Sequence, residues 1–367
     1  MSKADESGGE VGPLANDVLL VFTPVAEQTE WIKRVTNRFE GLRVRWVNSL
    51  KADGTILTAR EVPAEVWDGV TILTTFVPPP EDLVAKVRLI QVSSAGTDRW
   101  TNHPKYLDEN TIFCTSNGIH APQIAEWVIG AWLSHQHHFQ RYAAHMKTGY
   151  WESPFATHIE DSTGLRVGIL GYGAIGRACA SIARTLGMEV YAYTRGERAT
   201  PESRVDDSYC VAGTGDREGL IPTRWFHGTT QAAVDEFLAQ DLDLLVLSLP
   251  LTPETRGILS RAQFEILGKG KKAFVANVAR GGHIDQDALI EALESGKIRG
   301  AALDVTDPEP LPSDHPLWRA PNLLITPHVS WKTDFLWNRL LDVLEINLEK
   351  LATGQPLINV VNRQLHY

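Results

Sequence analysis

Residues 165–186 read LRVGILGYGAIGRACASIARTL, and the fold turns on them. An apolar run, 165–170, has the composition of a buried strand. A Gly-x-Gly-x-x-Gly turn follows at Gly171, Gly173 and Gly176, and a run of helical period starts inside it. In this strand–turn–helix order Gly171 makes the tight turn. Gly173 lets backbone N–H groups approach a diphosphate, and Gly176 lets helix and strand pack closely. An anion is favoured at that helix start by unpaired N–H groups and by the helix dipole. The candidate dinucleotide cradle is therefore Gly171, Tyr172, Gly173, Ala174, Ile175 and Gly176. A protein-kinase glycine loop shares the spacing, but the H-R-D and D-F-G segments that would accompany it are absent.

Downstream of the motif, strand-like runs recur at 188–193 (MEVYAY), 243–250, 272–279, 300–305 and 323–327, with a helical pattern over 285–295. Upstream, a separate alternating series occupies 17–24, 42–47, 71–76, 89–94 and 111–116, with helical patterns at 27–38 and 83–87. Alternation of this kind predicts parallel strands joined by crossover helices. Two doubly wound α/β domains are expected, a flavodoxin-like substrate domain and a Rossmann cofactor domain, with a cleft between them. A helix over 121–148 connects the two series. The polar residues 1–16 read as a disordered tail, 17–120 and 333–367 as the substrate domain, and 121–332 as the dinucleotide-binding domain. The helical stretch 333–353 has no strand after it and is expected to fold back on the first domain. Residues 195–230 are polar and show no period, which marks a functional or disordered loop.

The chain has 367 residues, 43% hydrophobic and 22% charged, with a net charge of -10. This length suits two domains, and the acidic balance argues against nucleic acid or an anionic membrane as partner. Cys114, Cys179 and Cys210 are far apart and suggest neither a disulfide framework nor a cysteine-rich zinc site. With no signal-like start and no run of 18 apolar residues, a cytoplasmic protein is expected. His135 and His138 lie three apart on a helical pattern, but no acid or further histidine follows on that face, so no metal site is expected.

Three polar residues follow apolar strands: Arg280 in NVARGG, Glu309 in DVTDPEP and His328 in TPHVSW. Strand carboxyl ends form the rim where open α/β sheets bind ligands. Hydride chemistry on a 2-keto acid needs a cation for the carboxylate, a proton donor for the carbonyl oxygen and a group that orients the donor. Arg, His and Glu suit those tasks. Taken singly, Arg280 could equally be a surface cation, Glu309 a solvated carboxylate and His328 a core histidine. Trp331, three residues past His328, is a candidate wall of a substrate pocket.

Taken together, SSAGTD (93–98), GIHAPQIAEW (118–127), GYGAIG, SLPLTPETRGIL (248–259), NVARGGHIDQDAL (277–289), GAALDVTDPEPLP (300–312) and TPHVSW (326–331) occur in an order that resembles the D-isomer-specific 2-hydroxyacid dehydrogenase family. The resemblance implies stereospecific interconversion of 2-keto and D-2-hydroxy acids, with hydride from nicotinamide C4. It makes Arg280, Glu309 and His328 the catalytic triad, with Glu309 favouring the protonated ring of His328. It assigns Ser94, Ala95 and Gly96 to a substrate loop whose N–H groups hold the carboxylate. Pro250 and Val278 are assigned to the cofactor site, and Asp304 to the carboxamide of the nicotinamide. It also implies a homodimer around the connecting helix. A rival reading is a dinucleotide-sensing scaffold that binds partner proteins and has weak catalysis; the intact Arg, Glu and His argue against it.

Cofactor choice is read from the strand after the motif helix. NAD-binding units carry an acid about 20 residues into the motif that holds the ribose hydroxyls and repels a 2′-phosphate. Here Thr194 occupies that place, followed by Arg195 and Arg198, while Glu197 is the alternative ribose acceptor. NADP(H) is expected to be preferred, with NAD(H) possible.

Overall fold

The computed structural model describes residues 12–364. Chain contacts divide it into two units, 12–117 with 334–364, and Gly118–Thr333. The expected tail at 1–16 lies outside the described residues up to 11. From 12 onward it is not a tail: the chain turns, with the Ala15 N–H donating to the Gly12 carbonyl at 2.9 Å, and Leu14 is buried.

The first unit is a five-stranded sheet built from β1 (Val18–Thr23), β2 (Arg43–Asn48), β3 (Ile72–Thr75), β4 (Leu89–Val92) and β5 (Ile112–Cys114). Its order is β2-β1-β3-β4-β5 and every ladder is parallel. The inner strands β1, β3 and β4 are buried at every position because both faces are covered, whereas the edge strand β2, RVRWVN, is not. Along β1, Val18, Leu20 and Phe22 enter one hydrophobic cluster, while Leu19 and Val21 enter the other. The helix Leu336–Ala352 lays Leu341, Leu344 and Leu348 into the second cluster, so the chain's end completes this unit. The helical pattern at 83–87 is only a single 3-10 turn, Glu81–Leu83. Four apolar or uncharged positions are too few to nucleate a helix.

The second unit holds β6 (Arg166–Leu170), β7 (Glu189–Thr194), β8 (Arg224–His227), β9 (Leu244–Leu247), β10 (Phe274–Asn277), β11 (Gly300–Leu303) and β12 (Leu323–Ile325). They form one parallel sheet in the order β12-β11-β10-β9-β6-β7-β8. Strand order reverses between β6 and β9, so the loops after these neighbours diverge to opposite faces and leave a crevice at their carboxyl ends. Two findings differ from the sequence reading. The connecting helix is two helices, Ala121–Gln136 and Phe139–Met146, broken at His138, whose φ of 55 is left-handed. The stretch 195–230 is ordered: it contains a turn of helix at Pro201–Arg204 and the edge strand β8.

What fixes that stretch is a buried cation. Arg177, 5% exposed in the motif helix Ala174–Thr185, donates to the carbonyls of Asp216 and Arg204 and lies 3.3 Å from the Asp206 carboxylate. Tyr172 of the glycine turn donates its hydroxyl to Asp216 at 2.7 Å. Charge-assisted bonds shielded from water make this a firm attachment.

Candidate active site

The glycine turn behaves as its spacing requires. Gly171 has φ +103, and a Cβ there would come within 2.8 Å of the Ser248 carbonyl and the Leu249 nitrogen, so the loops after β6 and β9 touch through it. Gly173 is exposed, with nothing within 4 Å of where a Cβ would stand. The N–H groups of Gly173, Ala174 and Ile175 have no acceptor within the chain among the described residues, and no side chain caps the helix. An open backbone edge at a helix start, at the switch point of a parallel sheet, fits the diphosphate of a dinucleotide.

Three loops at neighbouring strand ends carry the polar groups. After β10, the Asn277 side chain accepts from Ala279 N–H at 3.0 Å and donates to the Arg280 carbonyl at 2.9 Å, folding the loop so that Val278 and Ala279 are buried and Arg280 half-buried. Gly281 lies flat on the loop after β11, where any Cβ would overlap the Thr306 carbonyl. In that second loop the Thr306 N–H donates to Glu309 Oε1 at 3.2 Å. Glu309 Oε2 then meets His328 Nδ1 at 2.9 Å. Burial opposes ionisation of Glu309, yet the hydrogen bond and charge of His328, the Thr306 N–H and the Arg280 guanidinium together hold its carboxyl below the ordinary value. Arg280, Glu309 and His328 are thus brought together. With Nδ1 engaged, Nε2 is the ring nitrogen left to exchange a proton.

His328 has φ 52, an uncommon left-handed conformation for a side chain of this kind. Its loop is held by Asp304, 1% exposed at the end of β11. One carboxylate oxygen accepts from the Thr326 hydroxyl at 2.5 Å and the Val329 N–H at 2.8 Å. The other accepts from the Ser330 N–H at 2.9 Å and its hydroxyl at 2.5 Å. A carboxylate offers about four acceptor positions, and these four donors show that Asp304 builds the His328 loop. Asn277, Thr326 and Ser330 escaped the sequence reading. A buried strand-end Asn in VANVARGG was the one signal available for them.

Trp331 is half-buried, and its indole N–H is used on the His328 carbonyl at 2.7 Å, which gives the ring a positioning task beyond that of a pocket wall. Pro250 follows β9, and its carbonyl accepts from the Thr255 hydroxyl at 2.8 Å. The Thr194 hydroxyl turns to the Gly196 carbonyl at 2.7 Å, and Arg195 is exposed. Arg198 donates to the Ser203 carbonyl while its own carbonyl receives Arg204 Nε at 3.0 Å, so it secures the helical turn there. Of the two arginines, Arg195 therefore stands at the exposed end of β7. In the first unit, the loop after β4 is bent by the Ser94 hydroxyl donating to the Gly96 carbonyl at 2.7 Å. The N–H groups of Ala95 and Gly96 have no acceptor within the chain among the described residues.

His135 packs against Phe274 in a tilted arrangement with ring centroids 4.7 Å apart, and His138 meets the His158 carbonyl at 3.2 Å. Among the described residues no three His, Cys, Asp or Glu side chains are grouped to hold a metal ion. Nor is any helix among them long and apolar enough to cross a membrane.

A parallel sheet with an open glycine turn at its switch point and a carboxylate–imidazole pair on adjacent strand ends fits a nicotinamide-dependent oxidoreductase. Comparison with known proteins gives the lineage. The family model for the NAD-binding domain of D-isomer-specific 2-hydroxyacid dehydrogenases matches residues 129–212 and 218–330. A hydroxypyruvate reductase of Blautia hydrogenotrophica is 30% identical over 85% of this chain and 91% of its own length. A glyoxylate/hydroxypyruvate reductase A of Serratia proteamaculans is 32% identical over 67% of this chain and 69% of its own. A crystal structure of a D-isomer-specific 2-hydroxyacid dehydrogenase from Xanthobacter autotrophicus, in complex with NADPH and MES, covers 96% of this chain and 100% of that one with a TM-score of 0.71 and 27% identity. The chain belongs to the D-isomer-specific 2-hydroxyacid dehydrogenase family. It is an enzyme, an oxidoreductase of two parallel-sheet α/β domains that uses nicotinamide dinucleotides.

Proposed function

We propose that the enzyme reduces small 2-keto acids of the hydroxypyruvate and glyoxylate type to D-2-hydroxy acids, with NADPH preferred over NADH. The observation that carries the reading is the Glu309–His328 contact at 2.9 Å beside Arg280. When bound, the reduced nicotinamide supplies the hydride taken up at C2 of the keto acid. The N–H groups of Gly173, Ala174 and Ile175 hold the diphosphate, with Pro250 and Val278 lining the cofactor site. Arg280 binds the substrate carboxylate through a charge-assisted fork. His328 Nε2 gives its proton to the carbonyl oxygen as charge develops there, and Glu309 fixes the ring through Nδ1. Asp304 and Trp331 keep His328 in its left-handed conformation. The names of the two reductase relatives support the substrate class, and Thr194 and Arg195 in place of an acid support the cofactor preference.

The reading is tested by following NADPH absorbance with glyoxylate, hydroxypyruvate, branched and aryl keto acids. Turnover on the small acids is expected, and silence on the whole panel overturns it. A homodimer belongs to the same proposal, supported by Phe139 and Met146 on the second connecting helix and Tyr150, Trp151 and Phe155 just after it, all exposed. A monomeric mass at micromolar concentration overturns that part.

A further inference from the structure

His283 is fully buried in the turn Gly281–His283, three residues beyond the catalytic loop's cation, and nothing in the mechanism above uses it. Its ring spans two loops. Nδ1 lies 2.9 Å from the Arg280 carbonyl, and Nε2 lies 3.2 Å from the Pro250 carbonyl. Both neighbours are acceptors, whereas a neutral imidazole has a single N–H to give. Burial, and after it the charges of Arg280 and Arg256, keep the ring neutral against the pull of the two carbonyls. Only one carbonyl can then receive a proton. Each carbonyl has one further side-chain donor, the Asn277 amide at 2.9 Å on Arg280 and the Thr255 hydroxyl at 2.8 Å on Pro250, so the shorter of the two ring contacts, the one to Arg280, marks where the proton sits. The backbone around the ring is itself tied in: the His283 carbonyl accepts from Leu259 N–H at 3.0 Å, and the Gly282 carbonyl accepts from Gly257 N–H at 2.8 Å.

We infer that His283 is a positioning residue for substrate binding: its Nδ1–H fixes the carbonyl of Arg280, and its ring sets the spacing between the Arg280 loop and the Pro250 loop. The inference rests on the reading of Arg280 as the cation that binds the keto-acid carboxylate. A side chain that merely filled space here would be replaced by any residue of similar size. A positioning donor is replaced only by one that presents an N–H at the same point. Asn places its carboxamide nitrogen near the Nδ1 site, Gln places its own near Nε2, and Leu fills the volume with no donor at all.

The experiment compares His283→Leu, His283→Asn and His283→Gln with Arg280→Ala, measuring KM and kcat with NADPH and hydroxypyruvate, alongside thermal midpoints. His283→Leu should raise KM about tenfold with kcat reduced less than threefold, since the cation acts on bound substrate and transition state alike. His283→Asn should recover most of that loss and His283→Gln should not. If His283→Leu does not fold, the Asn and Gln pair decides: equal KM values for the two overturn the inference. An unchanged KM in a folded His283→Leu, with Arg280→Ala still raising KM, overturns it while leaving the reading of Arg280 intact. An unchanged KM in Arg280→Ala, or no turnover of hydroxypyruvate by the parent enzyme, overturns both.

Discussion

The indole N–H of Trp331 donates to the main-chain carbonyl of His328 at 2.7 Å, three residues back along a loop whose φ at His328 is 52. A conformation of this kind costs of order 1–3 kcal/mol and persists only where the surroundings hold it. Trp331→Phe keeps most of the ring and removes the N–H. We expect kcat to fall about five- to tenfold, as befits one lost hydrogen bond of roughly 1 kcal/mol, with the Kd for NADPH unchanged by fluorescence titration. Equal kcat values would remove Trp331 from the support of His328.

His328→Ala should remove most of the turnover, by about 10²–10⁴-fold, because general acid help is typically worth that much. Cofactor affinity should change little. Stopped-flow measurement of NADPH oxidation at saturating keto acid gives the answer, and a variant with near-normal rate would falsify the assignment of the proton to this ring.

Arg280→Ala should chiefly raise the KM for keto acid, and Arg280→Lys should recover only part of it, since a point ammonium does not reproduce a bidentate guanidinium. Steady-state kinetics with all three proteins checks this. Full recovery with lysine would mean that charge alone, without the fork, is what the carboxylate meets.

Arg195→Ala should erode the preference for NADPH by about tenfold or more through weaker NADPH binding, leaving NADH nearly untouched. The comparison is kcat/KM for the two cofactors in both proteins. Arg195 also contributes, after the Thr252 hydroxyl and the local backbone, to holding the Glu254 carboxyl below its ordinary value, so the variant frees an acid nearby that further disfavours a phosphate. A parent enzyme that prefers NADH would show that the end of β7 is not a phosphate seat.

Stability should depend on pH through His135. Burial first, then Arg299 and His138, push its ring down to about 4 from the ordinary 6.5. Between those values the unfolded chain binds a proton that the folded one refuses, so stability rises with pH across this window. It falls by up to about 1.4 kcal/mol per unit as pH drops from 6.5 toward 4. Below 4 both states carry the proton and this contribution ends. Urea titrations at pH 4.5 and 7 should show a smaller difference for His135→Leu than for the parent; identical differences would mean that the ring is already charged in the fold.

How far the sequence could be read depended on whether burial was on one side or two. β1, β6 and β9 are covered on both faces and show as unbroken apolar runs. β8, with the sequence RWFH at the sheet's edge, has exposed ends, and its signal vanished into the polar stretch around it. The break at His138 left no mark because the apolar pattern of the connecting segment continues in phase enough to pass for one helix, and neither Gly nor Pro announces it. Arg280, Glu309 and His328 were legible from their positions after strands. The hold of Asp304 on the His328 loop was not legible, since its donors come from Thr326, Val329 and Ser330, some 22 to 26 positions away. Arg177 was invisible for a similar reason: within an Ala-rich helix it reads as a surface cation, and only the folded loop beyond Arg204 buries it.

Gly281 stands between the loop that bears Arg280 and the loop that bears Glu309, and the Thr306 carbonyl occupies the place of any side chain there. In a library that samples every amino acid at each site residue, position 281 should return glycine alone. Even alanine would have to push the two loops apart and, with them, the cation from the proton-bearing pair. Routes by which this enzyme could acquire a new substrate are therefore closed along the seam between those loops. They lie open at side chains that hold no neighbouring backbone in place.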